Sequence, residues 1–320
     1  MTFIKPKRRM AMALETTSGT AIATADATMN IRVREIEFDP ETEAYLRPFA
    51  SGRHSFASAI MGKRKATCTF KYDMVPGAAV GTAPNARKLF LACGALETVV
   101  TSTSVAYTPL ATNDEGNSVT ATIRVYETPT SGSSLIYTMK GCMGNFVLSM
   151  DDLGQPLTAT FTFVGAFVSI ADGTASVLTS ADTGGAPAVL GATITHASDV
   201  LRIGKFSLDA GNEIQLDYDP SDSTGYLAAY IASRAPKLSV DPKAELVATD
   251  AHYTRWVAGT QGAFSLATAT AGGIRWTVSA PAAQLITNKI GDRNSAVIFD
   301  QQYDLYESAG NDEWSIMQSA

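Results

Sequence analysis

One irregularity, made twice at a fixed spacing, constrains this chain more than any other feature. Residues 31–38, IRVREIEF, alternate apolar side chains at Ile31 and Val33, slip by one, and resume at Ile36 and Phe38. Residues 201–208, LRIGKFSL, do the same with Leu201 and Ile203, then Phe206 and Leu208. The offset is constant, since 201 − 31 and 208 − 38 both give 170. A strand repeats every two residues, so a slip of one moves the later side chains to the other face unless an extra residue bulges out. A bulge repeated at one point predicts a duplicated β unit, and internal repetition decides what counts as a domain.

The correspondence runs on in order. Each first strand precedes a long polar segment, Asp39–Gly62 or Asp209–Arg234, expected as a loop longer than a compact domain needs. An alternating strand follows. Ala66, Cys68, Phe70, Tyr72 and Met74 oppose Lys65, Thr67, Thr69, Lys71 and Asp73 in the first copy. Leu238, Val240, Ala244 and Leu246 oppose Lys237, Ser239, Asp241, Lys243 and Glu245 in the second. Such alternation predicts an antiparallel strand with one buried and one wet face. Pro236 and Pro242 weaken the second copy or place it at an edge.

Each half then offers one short helix. The first spans Pro84 to Gly94; the second runs from Asp250, an N-cap candidate, to Gly259, a C′ candidate. Paired strands close each half: Gly144–Met150 with Leu157–Phe167 about a turn at 151–154, and Ala283–Lys289 with Ser295–Tyr306 about a turn at 290–293. The turn-to-turn offset shrinks to 137 (291 − 154), so an insertion, expected as a hairpin near 102–128, lies in the first copy.

The predicted fold is all-β with one short helix per domain. An N-terminal arm (1–30) leads to the first domain (31–172), a linker (173–200), the second domain (201–310) and a C-terminal tail (311–320). At 320 residues the chain has room for two cores.

Chemistry is sparse. His54, His196 and His252 are the three histidines, and none has a ligand spacing with Cys or a carboxylate. No nucleophile elbow, zinc motif, phosphate loop or dinucleotide fingerprint occurs. Asp217 to Asp222 opens like a calcium loop but has Asp222 where Gly is wanted and Ala228 in place of the final Glu. Asp151-Asp152 falls in a turn, where Asp is a common turn former. Cys68, Cys93 and Cys142 are expected as buried reduced thiols. These features predict no enzyme, no cofactor and no metal. The net charge of −6 is unsuited to general nucleic-acid binding, while leaving room for a surface past which DNA slides. The basic cluster Lys5, Lys7, Arg8 and Arg9 is read as contacting an acidic neighbouring subunit. No run approaches the length of a membrane-spanning helix, and residues 1–20 lack the apolar core of a signal peptide.

The long segments carry apolar and aromatic side chains on polar backbones, which predicts contacts with partners. The candidates are Tyr45, Leu46, Phe49, Arg53, Phe56, Ile60 and Met61 in one, and Tyr218, Tyr226 and Tyr230 in the other.

Several runs together resemble a known family. LETTSGTAIA, IRVREIEFDPETEAYLRPFASG, GKRKATCTFKYDM and APNARKLFLACGALETV, then GYLAAYIASRAPKLSVDPKAEL and VAGTQGAFSL, are similar to the major tail tube proteins of long-tailed, non-contractile bacteriophages. The resemblance implies tube domains, β-sandwiches whose inner sheets join neighbours into a ring-shaped β-barrel. It implies a structural virion protein, made and assembled in the host cytoplasm, that stacks as rings into the conduit for genome delivery. A chain with two such domains would close the ring as a trimer with pseudo-sixfold symmetry. The implied partners are other copies of the chain, a tape measure protein in the lumen, tail terminator and distal tail proteins at the ends, and phage DNA in passage; no membrane is involved. The wet faces, Lys65 to Asp73 and Lys237 to Glu245, become candidates for the lumen. A tube component of a related injection machine (tailocin, gene-transfer particle or secretion-type tube) shares the fold and is the alternative. Tandem adhesion modules and carbohydrate-active β scaffolds lack, respectively, an anchor and a convergent carboxylate pair in this sequence.

Overall fold

A computed structural model describes residues 7–22, 30–47, 57–111, 118–174, 185–247, 249–270 and 273–320. In chain order the strands and helices are β1 (Arg9–Leu14), β2 (Arg34–Arg47), β3 (Ala57–Asp73), α1 (Arg87–Leu91), β4 (Ala95–Val100), β5 (Ser104–Pro109), β6 (Ala121–Glu127), β7 (Ser134–Met150) and β8 (Thr158–Gly173). They continue with β9 (Thr193–His196), β10 (Asp199–Val200), β11 (Phe206–Asp209), β12 (Asn212–Tyr218), β13 (Tyr226–Arg234), β14 (Lys237–Val240), α2 (His252–Ala258), β15 (Gln261–Ala267), β16 (Arg275–Arg293), β17 (Ala296–Tyr306) and β18 (Ser315–Ser319). The protein is all-β, with two short helices among the described residues.

The sheet order carries the repeat. The run β2-β3-β8-β7 in the first half is answered by β11-β14-β17-β16 in the second, and the two runs join where β11 pairs with β7. The remaining strands also correspond: β6 lies on β7 as β15 lies on β16, and β1 flanks β6 as β9 flanks β15. Alternation is the reason these segments are strands. In β3, Ala66, Cys68, Phe70 and Tyr72 are buried while Thr67, Thr69, Lys71 and Asp73 are half-exposed. Phe70, Phe161 and Phe163 stack over one another, and Phe90 of α1 sets its edge against Phe146 and Phe161. The α1 helix therefore covers the apolar face of the sheet in the first half.

Several expectations are corrected. The described parts of segments 39–62 and 209–234 are paired antiparallel strands, β2 with β3 and β12 with β13. Residues 9–14 of the expected arm form β1, whose Met10, Ala11, Met12 and Ala13 are buried against β6. The expected linker includes β9 and β10, integral to the sheet. The insertion is the β4–β5 hairpin (95–109), since β5 pairs with β4 and β18 while β6 belongs to β1 and β7. The expected tail contains β18, which bridges β16 and β5 and so ties the two halves together. Trp314 and Ile316 are buried there, and Gln318 reaches Gly77 and Thr82 of the first half. The last hairpin turns at Asn294-Ser295, both at positive φ as a type I′ turn requires, rather than at 290–293.

The repeated slip resolves differently in the two copies. In the first it is a bulge: Glu35 has φ 55 and the β2–β3 register shifts between Arg34 and Glu37. In the second, 201–205 is not a strand, and the Gly204 and Lys205 N–H groups donate to Asp241 instead. The second alternating strand also stops at Val240, where Asp241 turns inward and Pro242 follows.

Candidate assembly interface

Eight strands in the order β2-β3-β8-β7-β11-β14-β17-β16 present one apolar face to the core. Their other face is polar. It carries Thr67, Thr69 and Lys71 of β3, Thr160 and Thr162 of β8, Asn145 and Ser149 of β7, Ser207 and Asp209 of β11, Lys237 and Ser239 of β14, and Asp300, Gln302 and Asp304 of β17. All of these are half-exposed or exposed. Thr69 and Thr162 share a hydrogen bond across strands, and Asn145 donates to Asp209 across the junction of the halves.

Charge on this face is paired at its β2–β3 end. Lys65 meets Glu41 at 3.1 Å, Lys71 meets Glu35 at 2.6 Å, and Arg34 meets Asp73 at 2.8 Å. The bond from Lys71 holds the Glu35 carboxyl below its ordinary value. Asp39, Asp209, Asp300 and Asp304 leave acidic groups in excess over Lys237 and Lys289. Exposed pairs of this kind contribute little to stability; they set the charge of the surface.

The sequence-derived lumen candidates separate into two groups. Lys65, Thr67, Thr69, Lys71, Asp73, Lys237 and Ser239 share the polar face. Asp241 does not: it is buried, ion-paired to Arg293 at 2.7 Å, and its carboxylate accepts the Gly204 and Lys205 N–H groups. Lys243 and Glu245 lie beyond the end of β14, and Glu245 faces Arg202.

The contact candidates separate likewise. Tyr45, Leu46, Ile60 and Met61 are exposed near the far end of the β2–β3 hairpin, with Leu46 at 74% and Met61 at 70%. Phe49, Arg53 and Phe56 lie outside the described residues. The Tyr45 hydroxyl donates to Glu43 and holds that carboxyl below its ordinary value. Tyr218 and Tyr230 are exposed, whereas Tyr226 is buried within the chain. The reason is that β12–β13 lies back over the first half. Lys140 pairs with Asp222, the Arg64 N–H donates to the Thr224 carbonyl, and Lys63 sits 4.3 Å from the Tyr218 ring centre.

Sequence reasoning missed the strand edges at the two ends of this eight-strand run. Among the described residues, β2 pairs only with β3, and nothing pairs with β16 beyond Gln284 on the side away from β17. The α2 helix covers that side as far as Ile286, whose carbonyl accepts from Trp256. Beyond it Ile290 is 80% exposed. A long apolar side chain on an open strand was the available signal.

Cys68, Cys93 and Cys142 are free and buried, and burial pushes the Cys68 thiol up to about 12, so it stays protonated. No group of three or more His, Cys, Asp or Glu side chains among the described residues is arranged to hold a metal. Among the described residues no helix is long and apolar enough to cross a membrane. A family model described as phage tail tube protein matches residues 6–302. No curated protein matches the chain.

Proposed function

We propose that this chain, which belongs to the phage tail tube protein family, is a structural virion subunit that self-assembles into rings stacked as the tail tube, the passage through which the genome reaches the host. The observation that carries this reading is a run of eight strands with a polar face whose end strands, β2 and the part of β16 beyond Gln284, have no outer strand partner among the described residues. Open edges bond to further strands, and a head-to-tail contact whose rotation closes gives a ring. Each half of the chain serves as one tube domain, so three copies complete a pseudo-sixfold ring. The polar face lines the bore, where its excess of carboxylates repels DNA phosphates within a Debye length of about 8 Å. The exposed apolar groups of the β2–β3 hairpin, Tyr45, Leu46, Ile60 and Met61, supply contacts between subunits and rings. A tape measure protein occupies the lumen before ejection, terminator and distal tail proteins cap the ends, and assembly takes place in the host cytoplasm. The role is architectural and has no catalytic step.

Negative-stain microscopy of the purified protein tests this. Rings or tubes of constant bore with threefold or pseudo-sixfold averages are expected. Dispersed monomers across protein concentration, salt and pH would overturn it.

A further inference from the structure

We infer that the junction between the two halves of one chain is the template for the junction between chains: β2 of one copy adds to the open edge of β16 of the next, with Phe38 opposite Ile290 and Asp39 opposite Lys289. The inference rests on the tube reading above and specifies which strands meet and in what register.

Equivalent positions follow from rows of paired residues. Across the first half one row runs Phe38, Cys68, Phe163, Gly144, and across the second Leu208, Leu238, Tyr303, Leu285. The next row runs Phe70, Phe161, Phe146 in the first half and Val240, Gln301, Asn288 in the second. Phe38 thus corresponds to Leu208. Two residues beyond Phe146 and Asn288, Leu148 corresponds to Ile290.

At the junction within the chain, Leu208 lies opposite Leu148 and Asp209 opposite Val147. Leu148 and Leu208 are 0% and 1% exposed, while Ile290 is 80% exposed and Phe38 half-exposed. The two pairs differ because one edge is already satisfied and the other awaits a strand. Transposing the junction puts Phe38 on Ile290.

Backbone direction agrees. The Met74 N–H donates to Leu157, so even-numbered residues of β3 face β8 and its odd-numbered residues face β2. Glu37 and Asp39, opposite Thr69 and Thr67, therefore turn their backbone toward β3, leaving Phe38 to face outward. On β16, Lys289 faces Asp300 of β17, leaving Ile290 to face outward. Phe38 and Ile290 become a hydrogen-bonded pair, and Asp39 and Lys289 the adjacent, closer-spaced pair, of opposite charge. Neither Asp39 nor Lys289 makes an ion pair within the described chain. The template differs at one step: the Ala210 N–H donates to Phe146, but Pro40 stands at the corresponding position and has no N–H. The ladder between chains ends there.

The full chain carrying Asp39→Cys and Lys289→Cys tests the register, since closer-spaced cross-strand pairs suit disulfide geometry. Mild oxidation of assembled protein should yield covalent multimers on non-reducing gels. Glu37→Cys with Lys289→Cys, shifted by two residues, should stay monomeric. Rings that form but cross-link only in the shifted pair, or in neither, overturn the register while leaving the tube reading intact; an absence of rings in the unaltered protein counts against the tube reading itself. As a second line, Asp39→Lys should weaken assembly at least tenfold, and adding Lys289→Asp should restore it. Equal assembly of the single and double charge variants would also overturn the proposal.

Discussion

His196 shows how far a single side chain is governed by its surroundings. It is buried against the Tyr303 ring, with Asp250, Asp199 and Arg255 nearby. Burial first, and then the Arg255 charge, push its pKa down to about 4. The unfolded chain takes up a proton near the ordinary value of about 6.5 that the folded chain refuses, so stability falls as pH drops from 6.5 toward 4. A shift of that size corresponds to on the order of 3 kcal/mol at the lower end. His196→Gln is expected to flatten the acid limb of a denaturation series between pH 6.5 and 4; an unchanged slope would mean that another group carries it. Glycine positions show the same dependence. Gly94 and Gly259 both follow a helix with φ near +70, at 71 and 64. Gly259→Ala should cost about 1–2 kcal/mol from backbone conformation alone. Gly94→Ala should cost about as much in a thermal melt, because the Ile231 Cδ1 that stands 2.5 Å from the new methyl ends a flexible, half-exposed side chain that can turn aside.

At the level of elements, the energetics lie where strands from distant parts of the sequence meet. Trp314 precedes β18 and sets its ring edge-on to Phe146 of the first half at 5.2 Å between centres. Trp276 at the start of β16 donates its indole N–H to the Met74 carbonyl beside β3. Trp314→Ala should therefore lose about 3–5 kcal/mol in denaturant titration, while Leu153→Ala on an exposed turn should change little; equal small losses would mean that β18 is not a clasp. The same geography explains what could be read in advance. β3, β7 and β8 were legible because each buries one face, which writes a period of two into Cys68, Phe70 and Tyr72. The β2–β3 hairpin was not, since the outer part of β2 exposes both faces and no alternation marks Thr42 to Leu46. β1 and β18 were missed because six and five residues are too short a signal, and their partners, β6, β16 and β5, are remote in sequence. Of the polar face, the alternation of β3 from Lys65 to Asp73 and of β14 at Lys237 and Ser239 was legible, while the residues of β7, β8, β11 and β17 beside them were not. Asp241 was not, because its burial depends on Arg293, far along the chain.

On the scale of the whole molecule, the two halves form one continuous sheet, so the polar face extends from β2 to β16 without a break. If that face meets DNA, its charge decides whether DNA slips or sticks. Thr160→Lys combined with Asp304→Lys places new cations on β8 and β17. Tubes of this variant should retain short duplex DNA in a filter assay at low salt and release it as salt rises, whereas unaltered tubes should retain none. Equal retention by both would move the lining to another face. The two open edges have a further consequence. They are different surfaces, one on β2 and one on β16, so a copy damaged at only one of them still joins a neighbour through the other and then halts the circle. If, as proposed, three members make a ring, the yield of complete rings would fall as the cube of the sound fraction. A minority of such copies would poison assembly out of proportion to their number.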